Sequence, residues 1–242
     1  MCSKIRILIL IGALLTGGVF AQAKTYLVSV GIADYPGQRN DLALPVKDAK
    51  TISWLYTRNN SAHCEQLLNQ QATRQAILST ISSLFAQASS NDIVVFFFSG
   101  HGYEGGFVAY DGYLSYSAVR KAMAKSKSKN KMIFADACFS GQFRQEGGSQ
   151  GDSGGRQDAN VMLFLSSRSD ETSIERPTMQ NGFFTTYLQK GLRGNADSNR
   201  DRIITARELF VFVRDGVTKL SQGKQHPVMW GNFRDDMPVM IW

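Results

Sequence analysis

Two short stretches of the chain carry the residues best suited to chemistry. Ser99-Gly100-His101-Gly102 follows the apolar run Ile93–Phe98, and Asp136-Ala137-Cys138-Phe139-Ser140-Gly141 follows Met132–Ala135. A cysteine and a histidine brought to neighbouring strand tips are the minimal set for thiolate catalysis, one as nucleophile and one as proton carrier. A thiol with an ordinary pKa of about 8.5 is only partly ionised at neutral pH, so a nearby imidazole or positive dipole is what makes it reactive. The glycines on either side of His101, and Gly141 after Cys138, allow sharp turns and close approach to a ligand. The plainer alternative is a packed cysteine and a turn histidine. The joint placement of the two motifs favours the catalytic reading.

That placement depends on the elements behind it. Thr25–Ala33 is apolar and β-branched, and Ile93–Phe98 (IVVFFF) has no polar alternation, so both read as strands buried on two faces of a parallel sheet. Met132–Ala135 and Val161–Leu165 read the same way, with a short strand near Glu65–Asn69. Apolar spacing predicts helices over Val46–Arg58, Thr73–Ala88, Ser117–Lys125, Phe183–Gly191 and Thr205–Leu220, and Asp111-Gly112 predicts a hairpin. Residues 141–160 lose their apolar content and read as a mobile surface loop. Strands alternating with helices imply a single α/β domain whose mostly parallel sheet is covered on both faces. In such sheets catalytic groups gather beyond the carboxyl ends of the strands, where both motifs fall.

The 242 residues suffice for one buried core, and 43% hydrophobic with 19% charged residues exclude wholesale disorder and fibrous repeats. Three cysteines are too few for a disulfide scaffold. Lys4 and Arg6 precede an uncharged stretch ending in Ala21-Gln22-Ala23, the pattern of a secretory signal peptide cut after residue 23. The expected arrangement is a leader over 1–23, a folded domain over 24–242, and a periplasmic or secreted location with no stable membrane association after cleavage. Cys64 and Cys138 would then be the two cysteines left, able to pair or to leave one as a working thiol.

The pair FFFSGHG and DACFSG, in that order after two buried strands, resembles the caspase-like cysteine peptidases, and metacaspase-type bacterial members above all. The likeness extends to LVSVGIADY in the first strand, Lys47-Asp48-Ala49 at the start of the first helix, and SSRSDETS at 166–173. It implies a three-layer α/β/α sandwich and a cysteine endopeptidase acting on proteins or peptides, with no cofactor. Carried over by motif, Cys138 is the nucleophile, His101 protonates the leaving amine, and the N–H groups of Gly102 and Cys138 form the oxyanion hole. Asp136, Asp48 and Ser99 match the pocket that accepts Arg or Lys before the scissile bond, where two carboxylates suit a guanidinium or ammonium group. Caspases that cut after Asp have Gln two residues before the cysteine, where this chain has Asp136. Structural readings of the acids are a first-turn charge for Asp48 and a strand-end cap for Asp136. Pro45 stands where many metacaspases have Cys, and Phe139 where eukaryotic relatives often have His. The rival reading is a catalytically silent homologue that binds peptides or partner proteins.

Other motifs carry less. Gly100-x-Gly102-x-x-Gly105 fits a dinucleotide fingerprint, but a hairpin rather than a helix should follow it. Asp197, Asn199, Asp201, Thr205 and Glu208 fit a calcium loop except for Arg202 at its glycine position, while a capping box explains Thr205 and Glu208 without metal. No metal site is therefore assigned. The lysines from Lys121 to Lys131 lack the aromatics or recognition fold of a nucleic-acid surface. Cys64 reads as a small buried hydrophobe, and His63 and His226 as structural or surface residues.

Overall fold

The computed structural model describes residues 23–58, 62–103, 105–137, 161–166 and 180–242. In chain order the elements are β1 (Thr25–Gly31), α1 (Pro45–Thr57), β2 (Ala62–Leu68), α2 (Arg74–Phe85), β3 (Ile93–Ser99), β4 (Gly102–Tyr103), β5 (Gly106–Ala109), β6 (Gly112–Ser115), α3 (Tyr116–Ala124), β7 (Asn130–Asp136), β8 (Val161–Leu165), α4 (Phe183–Lys190), β9 (Ile203–Thr205), α5 (Ala206–Leu220), β10 (Val228–Trp230) and β11 (Pro238–Ile241). The cysteine motif from Cys138 onward, the 141–160 stretch and most of the leader lie outside the described residues.

Six strands form the central sheet in the order β10-β8-β7-β3-β1-β2, parallel throughout except for β10 against β8. Strands β1, β3 and β8 are buried at every position, as unbroken apolar runs in a doubly covered sheet must be. The two-residue period of a strand sends alternate side chains to opposite cores. Tyr26, Val28 and Val30 join Ile77, Ile81 and Val119 on one face, with α2 and α3. On the other, Leu27 packs with Ile52 and Tyr56 of α1 and with Leu188, Leu209 and Val213 of α4 and α5. Helices on both faces of a mostly parallel sheet make the three-layer sandwich that the sequence implied.

Local signals set the helix starts. Thr73 and Ser115 cap α2 and α3, each hydroxyl accepting the N–H three residues on, from Ala76 (3.2 Å) and Ala118 (3.1 Å). Thr205 and Glu208 form the anticipated capping box of α5, Glu208 N–H donating to the Thr205 hydroxyl and Thr205 N–H to the Glu208 carboxylate. The Ser198 N–H and hydroxyl donate to that same carboxylate, and Asn199 Nδ2 donates to Asp201. Among the described residues, no three His, Cys, Asp or Glu side chains are grouped to hold a metal ion. After β3 the chain forms the three-stranded sheet β4-β5-β6, where a nucleotide-binding helix would otherwise begin.

The short strands β9 and β11, paired with each other, and the antiparallel edge β10 were not anticipated from sequence. Cys64 is half-buried rather than buried, on edge strand β2, and burial followed by the charge of Glu65 pushes its thiol up to about 12. His63 stacks on Tyr26 with ring centroids 5.1 Å apart. Among the described residues, no helix is long and apolar enough to cross a membrane.

Helix α1 lies unusually close to the end of β1. A Cβ at Gly31 would sit 2.4 Å from the Pro45 carbonyl oxygen and 2.7 Å from Ala49 Cβ. Gly31→Ala should therefore push α1 off the sheet and destabilise the fold by about 1–3 kcal/mol, the usual cost of overpacking a tight contact. A lower urea midpoint with an unchanged m value would show it, and an unshifted midpoint would contradict it.

Candidate active site

Parallel pairing of β3 with β7 brings the two motifs together. The register sets Phe98 opposite Ala135 and Ser99 opposite Asp136, and Gly100 N–H extends it by donating to Asp136 O at 3.3 Å. His101 therefore begins one step beyond this edge on one strand, and Ala137 ends the described chain beyond it on the other. Cys138, the next residue, is outside the described residues. Ala137 itself is tied on both sides by Ser166, whose hydroxyl accepts from Ala137 N–H (3.2 Å) and donates to Ala137 O (3.0 Å). Ser166 is in turn buried and anchored, its carbonyl accepting from Gln225 Nε2 at 2.9 Å.

His101 is held by the loop between β1 and α1. Its Nε2 lies 2.8 Å from the carbonyl oxygen of Asn40. A carbonyl only accepts, so Nε2 carries the hydrogen, and in the neutral ring Nδ1 is left with the lone pair. Tyr35 fixes the rest of the residue. Its hydroxyl accepts from His101 N–H at 3.0 Å and donates to Val108 O at 3.0 Å, and its ring centroid is 4.9 Å from the imidazole. Asp41 secures Tyr35 by accepting its N–H at 3.2 Å. Val108 N–H donates to His101 O at 2.9 Å, so β5 braces the histidine from the other side, and Gly102 pairs with Phe107 as the first residue of β4.

Asp48, Asp136 and Ser99, the residues matched to an acidic pocket, meet around the start of α4. Asp48, in the first turn of α1, is 1% exposed, and Asp136, the last residue of β7, is 8% exposed. Ser99 Oγ donates to Asp48 Oδ2 at 2.9 Å, while Asn181 Nδ2 (2.8 Å) and Gly182 N–H (3.1 Å) donate to Oδ1. Asp136 Oδ2 accepts from Thr185 N–H at 3.1 Å and from its hydroxyl at 2.9 Å. The two acids thus meet the free N–H groups and positive end of α4, which favours carboxylates there. A Cβ on Gly182 would come within 2.5 Å of Asp136 Oδ2 and 3.5 Å of Asp48 Oδ2, so both face the small space this glycine leaves open.

Asp48, Ser99, His101, Gly102 and Asp136 are therefore gathered at the carboxyl edge of the sheet, as the motifs implied. Tyr35, Asn40, Ser166, Asn181, Gly182 and Thr185 were not singled out from sequence. Tyr35 and Ser166 lie inside quoted motifs, yet nothing in one sequence distinguishes a tyrosine that supports histidine from one that fills a core.

Burial first, and the neighbouring Asp136 charge second, raise the Asp48 carboxyl well above the usual range, against the donors that favour its ionised form. A carboxyl raised in the native state costs nothing below its unfolded pKa. It reduces stability as pH rises from there through the raised native value. Asp48→Asn keeps an oxygen for Asn181 and Gly182 and removes that cost. Its thermal midpoint should match the parent's near pH 4 and exceed it increasingly toward pH 7. A variant less stable than the parent at pH 7 would refute this balance.

Comparison with known proteins agrees with the architecture. A protein of Geobacter sulfurreducens, solved in a structural genomics programme, superposes with a TM-score of 0.65 over 90% of this chain and 97% of its own, at 15% identity. At that identity the likeness speaks for the fold alone. No curated protein matches the chain. A family model described as the caspase domain, a peptidase family, matches residues 25–238. With that match spanning the whole sandwich and both motifs, the chain belongs to the caspase domain family.

Proposed function

We propose that the chain is a cysteine endopeptidase cutting after Arg or Lys, with Cys138 and His101 as its working pair. The observation that carries this is the clamp on His101, which leaves Nδ1 as the proton-accepting nitrogen at the same sheet edge that leads into Cys138. A histidine serving only to pack would not need its ring, its N–H and its carbonyl fixed from two separate loops.

The chemistry follows from the groups in hand. Nδ1 takes the proton from Cys138 Sγ, and the thiolate attacks the carbonyl carbon before the scissile bond. The N–H groups of Gly102 and Cys138 donate to the resulting oxyanion. The imidazolium returns its proton to the amine nitrogen as the C–N bond breaks, leaving a thioester on Cys138 and a free amine. Water, deprotonated by His101, then attacks the thioester, releases the carboxylic acid and restores the thiol.

Asp48 and Asp136 supply the preference for a basic residue. A guanidinium entering beside them would favour ionisation of Asp48 and satisfy both carboxylates through charge-assisted bonds. Asp136, the more open of the two, is met first. The leader-like residues 1–23 support work in the periplasm or outside the cell. The silent-module reading has no observation in its favour, since the histidine side of the site is fully braced.

Reduced protein should cleave fluorogenic peptides ending in Arg or Lys, and Cys138→Ala or His101→Ala should lower kcat by about a thousandfold or more, as loss of a nucleophile or base does. Asp136→Asn should reduce cleavage after Arg while sparing the fold, read by circular dichroism. Cleavage after Asp instead would overturn the pocket assignment and leave the enzyme. Equal turnover by Cys138→Ala would overturn both.

A further inference from the structure

We infer that the cleft between His101 and the β5–β6 hairpin binds the residue that follows the scissile bond, and that it takes an uncharged apolar side chain. This rests on the peptidase reading above and extends it to the leaving half of the substrate. The cleft has a volume of about 580 Å³, within the usual range for small-ligand sites and ample for a side chain or two. Pro36 and Tyr35 form one wall, Val108 to Gly112 the other, and His101 with Gly102 the end.

None of Ser99, Asp48 and Asp136 lines this cleft. His101 therefore separates two spaces: the acidic pocket, reached through Ser99 two residues back on β3, and the cleft at the hairpin. A residue that protonates the leaving nitrogen must come within about 3 Å of it. The chain beyond that nitrogen starts at His101, and with the preceding side chain beside the two acids, the cleft is the open path for it among the described residues.

Three polar groups that line the cleft are already engaged. Tyr35 hydroxyl bridges His101 and Val108, and Asn40 O receives the imidazole hydrogen. Both oxygens of Asp111 accept from Arg74, from its backbone N–H at 2.7 Å and its Nε at 3.3 Å. A second basic side chain thus finds the Asp111 carboxylate already paired, and none of these three groups offers an acidic one a free donor. Pro36, Val108 and the ring of Tyr110 offer apolar surface, which suits a side chain such as Leu or Phe.

The test compares two kinds of substrate with identical residues up to Arg. One carries a fluorescent amine directly on the Arg carbonyl. The others are internally quenched peptides that continue with Leu, Phe, Gly, Lys or Asp. The expected result is a kcat/KM for Leu or Phe about tenfold or more above that for Lys or Asp, the scale on which an apolar pocket discriminates. Val108→Asp should collapse the ratio of the Leu peptide to the fluorescent amide about tenfold. Pro36 is exposed on a loop, so Pro36→Glu tests the same wall without threatening the core, and should move the preference toward Lys. Cleavage of all the peptides at one rate, unchanged in both variants, would overturn the inference and leave the peptidase reading intact. Failure to cut any substrate, the fluorescent amide included, would overturn both.

Discussion

The register between β3 and β7 is the constraint on which the rest of the site depends. With Ser99 opposite Asp136, the two strands end level, and the chain leaves both at the same edge of the sheet. A slip of one residue would invert the side chains of the strand that moves, setting Phe97 of β3 or Phe134 of β7 against α2 and α3 and breaking both packed faces along that strand. The apolar runs therefore lock the register through the hydrophobic effect, and the register delivers His101 and Ala137, the residue before Cys138, to the same edge of the sheet. The geometry of the candidate site is here a by-product of core packing: the sheet interior fixes where the strands end, and only residues past those ends are free to vary in role.

Asp48 and Asp136 serve two demands with one set of atoms. As structural groups they cap α4, accepting Gly182, Thr185 and Asn181 donors that would otherwise be orphaned at a buried helix start. In the proposed recognition role they are two carboxylates in one small space, where burial and the Asp136 charge raise the Asp48 carboxyl well above its usual range. These demands pull the same way. The helix end keeps the pair polar and oriented while empty, and Gly182 keeps side-chain bulk out of the space between them. The structural role and the proposed pocket role do not exclude each other, because both acids, Asp48 from the first turn of α1 and Asp136 from the end of β7, meet the start of α4.

What the sequence made legible follows the physics of each signal. Strands buried on both faces announce themselves as unbroken apolar runs, and Val161–Leu165 matches its observed strand residue for residue. Helix starts were legible at Thr73 and Thr205, where a side chain caps its own helix, while the Ser115 cap of α3 lies two residues before the predicted start. The strands β9, β10 and β11 have three or four residues each and owe their existence to pairing partners distant in sequence, such as Ile204 with Met240. No local pattern encodes that. Among residues at the candidate site, Asn181 and Thr185 were not legible, since their meaning comes from Asp48 and Asp136, at least 49 positions away, and Tyr35 and Ser166 were not, although both lie inside the quoted motifs.

The supports of the two halves differ in kind. His101 is fixed largely through backbone: the Asn40 carbonyl, its own N–H on Tyr35, and its carbonyl on Val108 N–H. Bonds to backbone atoms are indifferent to the side chain at residue 40, so that position can change while the tautomer is kept. Tyr35 is the exception, because the hydroxyl and the ring act together and phenylalanine would leave His101 N–H and Val108 O without their shared partner. On the other half, Ser166 satisfies both polar groups of Ala137 with a single hydroxyl. A hydroxyl is the one small group that can accept and donate at once, and a buried serine is the most compact way to carry it. The backbone leading into Cys138 is thus set by a side chain, and the imidazole by backbone, so substitutions at these supports should reach the two halves of the site independently.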